Sequence, residues 1–303
     1  MLSTADESRV WRSTMESLYG WIPGQGYHMA DTNLWNLKQV AAQRAQELKD
    51  RGITVLRGPA EGALTPREVQ LLRDVSMGFF SKALTRVGEE MQKKPDLVIR
   101  YRDCVARKSH RMHVKPPEIW DDRVFGFLHR RGTFHEVLRR AFGSEFRMTH
   151  CGALMAKPAV DPLPNNVNQA WHRDAPEEPE LVKRFEPYAA VVYIPLIDMS
   201  DQSGVTEFFA SSHRKEIACE ELERKPPPPE DLVSTAGLRA GDVLIFDIRL
   251  IHRGVLHTAP ELGLGDLGMR PVIALNFGVN EWQDKEDAAN WGEQFLVEGP
   301  HGQ

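Results

Sequence analysis

Beyond Ser144 the hydrophobic pattern of the chain changes period. Phe146 to Met155, Tyr188 to Leu196, Val205 to Phe209, Asp242 to Ile248 and Pro271 to Phe277 are short strand-like runs, several rich in β-branched or aromatic residues, separated by Pro, Gly and Asp. No long helical pattern alternates with them. Parallel βαβ units are therefore disfavoured, and an antiparallel sandwich or barrel is expected. The first half of the chain reads differently. From Asp31 to Arg51, Leu34, Leu37, Ala41, Ala45 and Leu48 keep to one helical stripe, and Gly52 is placed to end the helix. Ile53 to Leu56 follows as a short strand closed by Gly58-Pro59. Thr65-Pro66-Arg67-Glu68 then offers an N-cap hydroxyl, a proline at the first helical position and a reciprocal carboxylate, which predicts a second helix start. From Lys82 to Gly143 the signals are mixed and lean helical, with Lys115-Pro116-Pro117 as a break and His135 to Phe142 as a short helix. Lys225 to Glu230 (KPPPPE) reads as an extended connector or surface loop. There is no internal repeat and no phosphate-binding glycine loop.

Composition narrows the class of partner. At 27% charged and 41% hydrophobic, the 303 residues can bury a sizeable core. With 38 basic and 43 acidic side chains and a net charge of −5, the chain lacks the excess positive charge that neutralises phosphates, so nucleic acid is not an expected partner. Cys104, Cys151 and Cys219 are odd in number, far apart and without CxxC spacing, which indicates neither a disulfide framework nor a cysteine zinc site and fits a reducing compartment. The opening MLSTADESRVW lacks a basic-then-apolar signal. The longest apolar stretch, Tyr188 to Ile197, is half a membrane span and contains Pro195. The expectation is a soluble cytoplasmic protein with no membrane partner.

Chemistry concentrates in Gln169-Ala170-Trp171-His172-Arg173-Asp174. A histidine and an aspartate two apart in extended chain point to the same side, so an imidazole and a carboxylate can share one metal. On its own this pair competes with a surface histidine beside a solvated aspartate. The run from Gly241 to Gly254 adds a turn and a buried strand that is expected to deliver His252 at its far end. Two histidines and one carboxylate form the facial triad that holds iron(II) and leaves three positions open. Arg270, opening the last strand, suits bidentate capture of a carboxylate, with a solvated strand-end arginine as the alternative.

His172-x-Asp174, then His252, then Arg270 resembles the phytanoyl-CoA dioxygenase family of iron(II)- and 2-oxoglutarate-dependent oxygenases. Glu47 to Leu56 followed by Leu64 to Val69 is similar to that family's opening of helix, strand and proline-started helix. Ser203-Gly204-Val205-Thr206-Glu207-Phe208-Phe209-Ala210-Ser211-Ser212-His213 resembles its NGxTxFxPGSH segment, with Ser203, Ala210 and Ser211 departing from it. The resemblance implies a mainly β fold with N-terminal helices: a double-stranded β-helix, or cupin-like jelly-roll, of eight core strands. Residues 1–303 are then one oxygenase domain, with 1–143 as largely helical support, 144–280 as the jelly-roll core and 281–303 as a tail. It also implies that His172, Asp174 and His252 are the metal ligands and the catalytic centre. Iron(II), 2-oxoglutarate and O2 would be the cofactor and cosubstrates, and Arg270 would pair with the distal carboxylate of 2-oxoglutarate. Gln169, Thr206 and Lys157 match further positions that contact this cosubstrate in family members, against packing or outer-shell roles.

The activity implied is hydroxylation, desaturation or ring closure at an unactivated C–H bond, with release of succinate and CO2. The substrate expected is a small molecule such as a specialised metabolite, since His301-Gly302-Gln303 is not a peroxisomal signal and does not favour an acyl-CoA. A homodimer is an admissible assembly. The competing classes are a zinc hydrolase using the same His, Asp, His set and a non-catalytic jelly-roll binding protein. Elsewhere, His110 and His113 read as a solvated basic face with Lys108 and Arg111, and His213 as a structural hydrogen bond. Trp171 reads as packing, and Arg253 and His257 as pocket-lining candidates. The glycine-rich insert from His257 to Met269 lengthens the spacing from His252 to Arg270 and is expected to form a loop beside the site.

Overall fold

The computed structural model describes residues 31–93, 98–107, 111–129, 132–143, 145–159, 168–174, 185–282 and 296–298. The chain divides into two compact units, Met1–Asn36 and Leu37–Gln303, and the site lies within the second. Helix α1 (Asp31–Arg51) buries Ala41, Ala45 and Leu48 of the expected stripe, with Leu37 half-buried and the Leu34 side chain outside the described residues. Gly52, at φ 74°, ends it in the left-handed conformation that suits glycine. Strand β1 (Ile53–Leu56) follows, and then helix α2 (Pro66–Lys93). The cap of α2 is reciprocal: the Thr65 N–H donates to Glu68 Oε2 at 2.8 Å and the Glu68 N–H to Thr65 Oγ1 at 3.3 Å.

The region that leans helical in sequence departs from that reading. Three strands, β2 (Val98–Tyr101), β3 (Cys104–Arg107) and β4 (Arg111–Val114), form a meander before helices α3 (Asp122–His129) and α4 (Thr133–Phe142). Each strand is four residues long and carries arginine, so no apolar period can register. What makes them strands is pairing with a long neighbour. That neighbour is β5 (Phe146–Ala156), followed by β6 (Ala189–Pro195), β7 (Thr206–Phe209), the helical turn α5 (Glu221–Arg224) and β8 (Leu232–Ser234). The remaining strands are β9 (Val243–Asp247), β10 (His252–Gly254), β11 (Arg270–Val279) and β12 (Leu296–Glu298). Within the KPPPPE region, Pro229–Asp231 forms one tight helical turn at the entrance to β8.

Nine strands make one antiparallel sheet in the order β1-β9-β6-β11-β5-β4-β3-β2-β12, and three make a second in the order β10-β7-β8. Alternate residues of the large sheet face the small one. Val191 and Tyr193 of β6, Leu244 and Phe246 of β9, and Val272 and Ala274 of β11 form one buried cluster with Val205 and Phe208. Each large side chain buried there stabilises the fold by about 1.5–3 kcal/mol. Helix α2 lies along β2, β3, β4 and β11. This is the expected jelly-roll with helical support. The small sheet is shorter than an eight-strand core implies, because the His172 segment joins β10 through a single bridge, His172 to His252. Among the described residues no helix is long and apolar enough to cross a membrane.

Candidate metal and cosubstrate site

The site is assembled where the chain leaves the large sheet for the small one. β9 ends at Asp247, whose carboxylate accepts from the Arg249 backbone N–H and Nε, both at 2.9 Å, and from Nη2 at 2.6 Å. Both residues are buried. Asp247 thus caps a turn, and His252 opens β10 in the opposite sheet. This corrects the expectation that the buried strand carries the histidine at its far end.

The first histidine is seated against that strand. The His172 N–H donates to His252 O at 3.0 Å, the His252 N–H to His172 O at 2.9 Å, and the Gln169 N–H to Gly254 O at 2.8 Å. The Gly254 N–H donates to Gln169 Oε1 at 2.9 Å. A Cβ at Gly254 would run into that same Gln169 carbonyl, so glycine is what permits the close approach.

Each imidazole is oriented by the carbonyl two residues before it. His172 Nδ1 donates to Ala170 O at 2.9 Å and His252 Nδ1 to Leu250 O at 3.0 Å. That tautomer leaves both Nε2 lone pairs free, which is the arrangement a metal-ligating histidine requires. They converge on Asp174: His172 Nε2 is 3.8 Å from Oδ1 and His252 Nε2 is 3.5 Å from Oδ2. The three ligand atoms lie within 4.8 Å of one another and can hold a metal ion. Two imidazole nitrogens and one carboxylate are donors suited to a divalent metal. The surrounding protein and the neighbouring His252 push the His172 imidazole down to about 4, which keeps it neutral and available as a ligand. Phe246 and Phe208 pack against the His252 ring, with centroids 5.1 and 5.7 Å away.

Arg270 opens β11 and alternates onto the face that carries Val272 and Ala274. It is 8% exposed. Its Nη1 donates to Tyr193 Oη at 3.0 Å, while its Nε is buried and, among the described residues, has no hydrogen-bond partner. A carboxylate would satisfy it. Thr206 lies opposite Gly254 across the β7–β10 pair, which brings it and Gln169 to the same residue. Lys157 is half-buried one residue beyond β5 and makes no hydrogen bond or ion pair among the described residues.

The other candidates have defined places. Arg249 is folded onto Asp247, and Arg253 donates to Glu207 Oε2 at 2.7 Å and covers the Trp171 ring at 4.4 Å. Trp171 packs with Phe209, Leu222 and Ile251, as expected. His257 is buried between Gln202 O and Gly268 O, which fastens the base of the insert; the insert then runs directly into Arg270. His213 Nε2 donates to Lys49 O at 3.1 Å, the structural bond expected of it. His110 and Lys108 lie outside the described residues. His113 departs from the solvated-face reading, because it sits on β4 with its Nε2 2.9 Å from Nε2 of buried His150. Gly152 makes room for it, since a Cβ there would collide with the His113 ring. Sequence reasoning missed Tyr193 and Arg173. The alternation of β6 could have pointed to the first, as an inward tyrosine one strand from Arg270.

Two facing sheets with two histidines and a carboxylate at the edge of the smaller one define the class: a double-stranded β-helix protein with a His-Asp-His set that can hold a metal ion. The chain belongs to the phytanoyl-CoA dioxygenase (PhyH) family, whose family model matches residues 48–258. Among curated proteins it is similar to dioxygenase hkm4 of Aspergillus hancockii, 27% identical over 132 residues, 43% of this chain and 40% of the relative. It is also similar to dioxygenase easH of Epichloe festucae var. lolii, 26% identical over 120 residues, 39% of this chain and 61% of the relative. The matches thus span less than two thirds of either relative. Among solved structures, HygX from Streptomyces hygroscopicus with nickel, 2-oxoglutarate and hygromycin B bound shares the fold, with a TM-score of 0.50, 15% identity, and coverage of 80% of this chain and 88% of that one.

Proposed function

We propose that the unit holding these residues is an iron(II)- and 2-oxoglutarate-dependent dioxygenase that oxidises an unactivated C–H bond of a small organic substrate, a specialised metabolite, and releases succinate and CO2. The observation that carries this reading is the convergence of the two free Nε2 lone pairs with the Asp174 carboxylate. When bound, iron(II) supplies the redox chemistry by which O2 and the keto acid are consumed together. The chain supplies placement. Arg270 would hold the distal carboxylate of 2-oxoglutarate, with its buried Nε as an available donor and Tyr193 fixing the plane of the fork. Gln169, whose carbonyl oxygen is held by Gly254, would offer its amide NH2 to the same cosubstrate, Thr206 its hydroxyl, and Lys157 a further contact. Phe208 and Phe246 keep water from the inner side of His252. The zinc-hydrolase alternative leaves the buried, half-partnered Arg270 without a role.

Anaerobic addition of iron(II) and then 2-oxoglutarate to the full chain should produce a weak visible charge-transfer band. His172→Ala, Asp174→Ala and His252→Ala should each remove the band together with substrate-dependent succinate formation, while apo-protein melting stays near wild type. A wild-type protein that gives no band, or a triad variant that turns over normally at limiting iron, would refute the reading. Succinate release across a metabolite panel would identify the substrate.

A further inference from the structure

We propose that Arg173, the residue between the two ligands of the His172-x-Asp174 segment, is the positioning residue that sets the geometry of the metal-binding set; this rests on the reading that His172, Asp174 and His252 bind the metal. In extended chain the side chain of residue 173 leaves on the side opposite its neighbours, so it cannot itself be a ligand. Its guanidinium is instead distributed over the backbone of two other segments. Nε donates to Arg249 O at 2.9 Å, Nη1 to Ile217 O at 3.0 Å and to Cys219 Sγ at 3.6 Å, and Nη2 to Lys215 O at 3.1 Å and Ser212 O at 3.5 Å. A planar fork with five N–H donors is suited to this, because its bonds leave in fixed directions.

Two of these facts couple Arg173 to the ligands. Asp174 is 41% exposed, and its carboxylate meets the two histidine rings; among the described residues no hydrogen-bond donor outside the set holds it in place. Its position follows from the backbone that Arg173 anchors. The carbonyl that Nε holds, Arg249 O, belongs to the Asp247–Arg249 turn, and the next carbonyl along, Leu250 O, orients His252 Nδ1 at 3.0 Å. One guanidinium therefore ties the segment bearing His172 and Asp174 to the turn that aims His252.

Positioning and simple electrostatics predict opposite signs. A cation beside a metal site repels a divalent ion, so deleting Arg173 for charge reasons alone would tighten metal binding. Loss of positioning would weaken it, by the 10- to 100-fold typical of removing a group that orients ligands. Cobalt(II) is titrated into the apo full chain without oxygen, read by calorimetry and by the visible d–d bands, with circular dichroism and thermal melting reporting the fold. Arg173→Gln is expected to raise the cobalt Kd at least tenfold and broaden the d–d bands. Arg173→Lys, which keeps the charge but cannot span both segments, is expected to fall between, and Arg139→Gln, on an exposed arginine of α4, to bind as wild type. Arg173→Gln binding cobalt as tightly as wild type, or more tightly, overturns the inference. Should Arg173→Gln not fold, an unchanged Kd in Arg173→Lys overturns it equally. Wild-type protein that binds no cobalt, or binds it insensitively to His172→Ala, removes the metal reading and this inference with it.

Discussion

Arg249, Arg253 and Arg270 have similar chemistry and different surroundings. Arg249 and Arg253 are matched by carboxylates, Asp247 at 2.6 Å and Glu207 at 2.7 Å, whereas among the described residues Arg270 has only the Tyr193 hydroxyl. The unmatched one is the candidate for an external carboxylate. Arg270→Ala should raise the KM for 2-oxoglutarate at least tenfold, roughly 1.4 kcal/mol, and Arg270→Lys should fall between, because a point charge cannot pair bidentately. Steady-state succinate assays decide it, and an unchanged constant in the alanine variant moves the role elsewhere. At this scale the sequence was readable where side chains act on each other. His172 and Asp174 share a side by alternation, and His252 supplies the missing nitrogen. It was silent where side chains act on backbone, because the carbonyls of Arg249, Ile217 and Lys215 that hold Arg173 have no identity in the sequence.

The junction between α1 and β1 ties the helical support to the turn before the second histidine. Gly52 accepts from the Asp247 N–H at 2.8 Å, the Arg51 carbonyl accepts from Ser211 at 2.8 Å, and the Lys49 carbonyl from His213 at 3.1 Å. A Cβ at Gly52 would meet the His213 ring and the Leu250 side chain, at a φ of 74° that already disfavours L residues. Gly52→Ala should therefore cost about 1–3 kcal/mol, seen as a lower urea midpoint, and should also loosen Leu250, whose carbonyl aims His252. A midpoint equal to wild type would show that the junction tolerates a side chain. Elements of this kind were legible because their signals are local: a helical stripe, a terminating glycine, a reciprocal cap. β2, β3 and β4 were not. Each is four residues long, and what makes β4 a strand is its pairing with β5, Met112 against Met155, a contact far away in sequence.

Over the whole molecule, a net charge of −5 argued against a polyanionic partner but said nothing about which charges are buried. The large sheet places His150 in its interior, where burial and then the nearby Lys115 push the imidazole down to about 3. Its Nε2 faces that of His113 at 2.9 Å, a spacing that one shared proton satisfies and two do not. His172 is held down to about 4 in the same way, by its surroundings and by His252. In the unfolded chain both histidines return to about 6.5. Between about pH 6.5 and pH 4 the unfolded state therefore binds more protons than the folded one, and stability must fall as pH falls through that window. The contribution is fully present above pH 6.5, and His150 continues to lose it down to about pH 3. Urea midpoints of the apo-protein should drop steadily from pH 7 to pH 5, and divalent metal should raise the midpoint across this range without flattening the drop, because it binds the neutral His172 of the folded state and leaves proton uptake by the unfolded chain unchanged. His150→Gln should flatten the slope even if it lowers the midpoint at pH 7. A midpoint independent of pH across this range would mean that the His113–His150 pair is reached by water and protonated without unfolding.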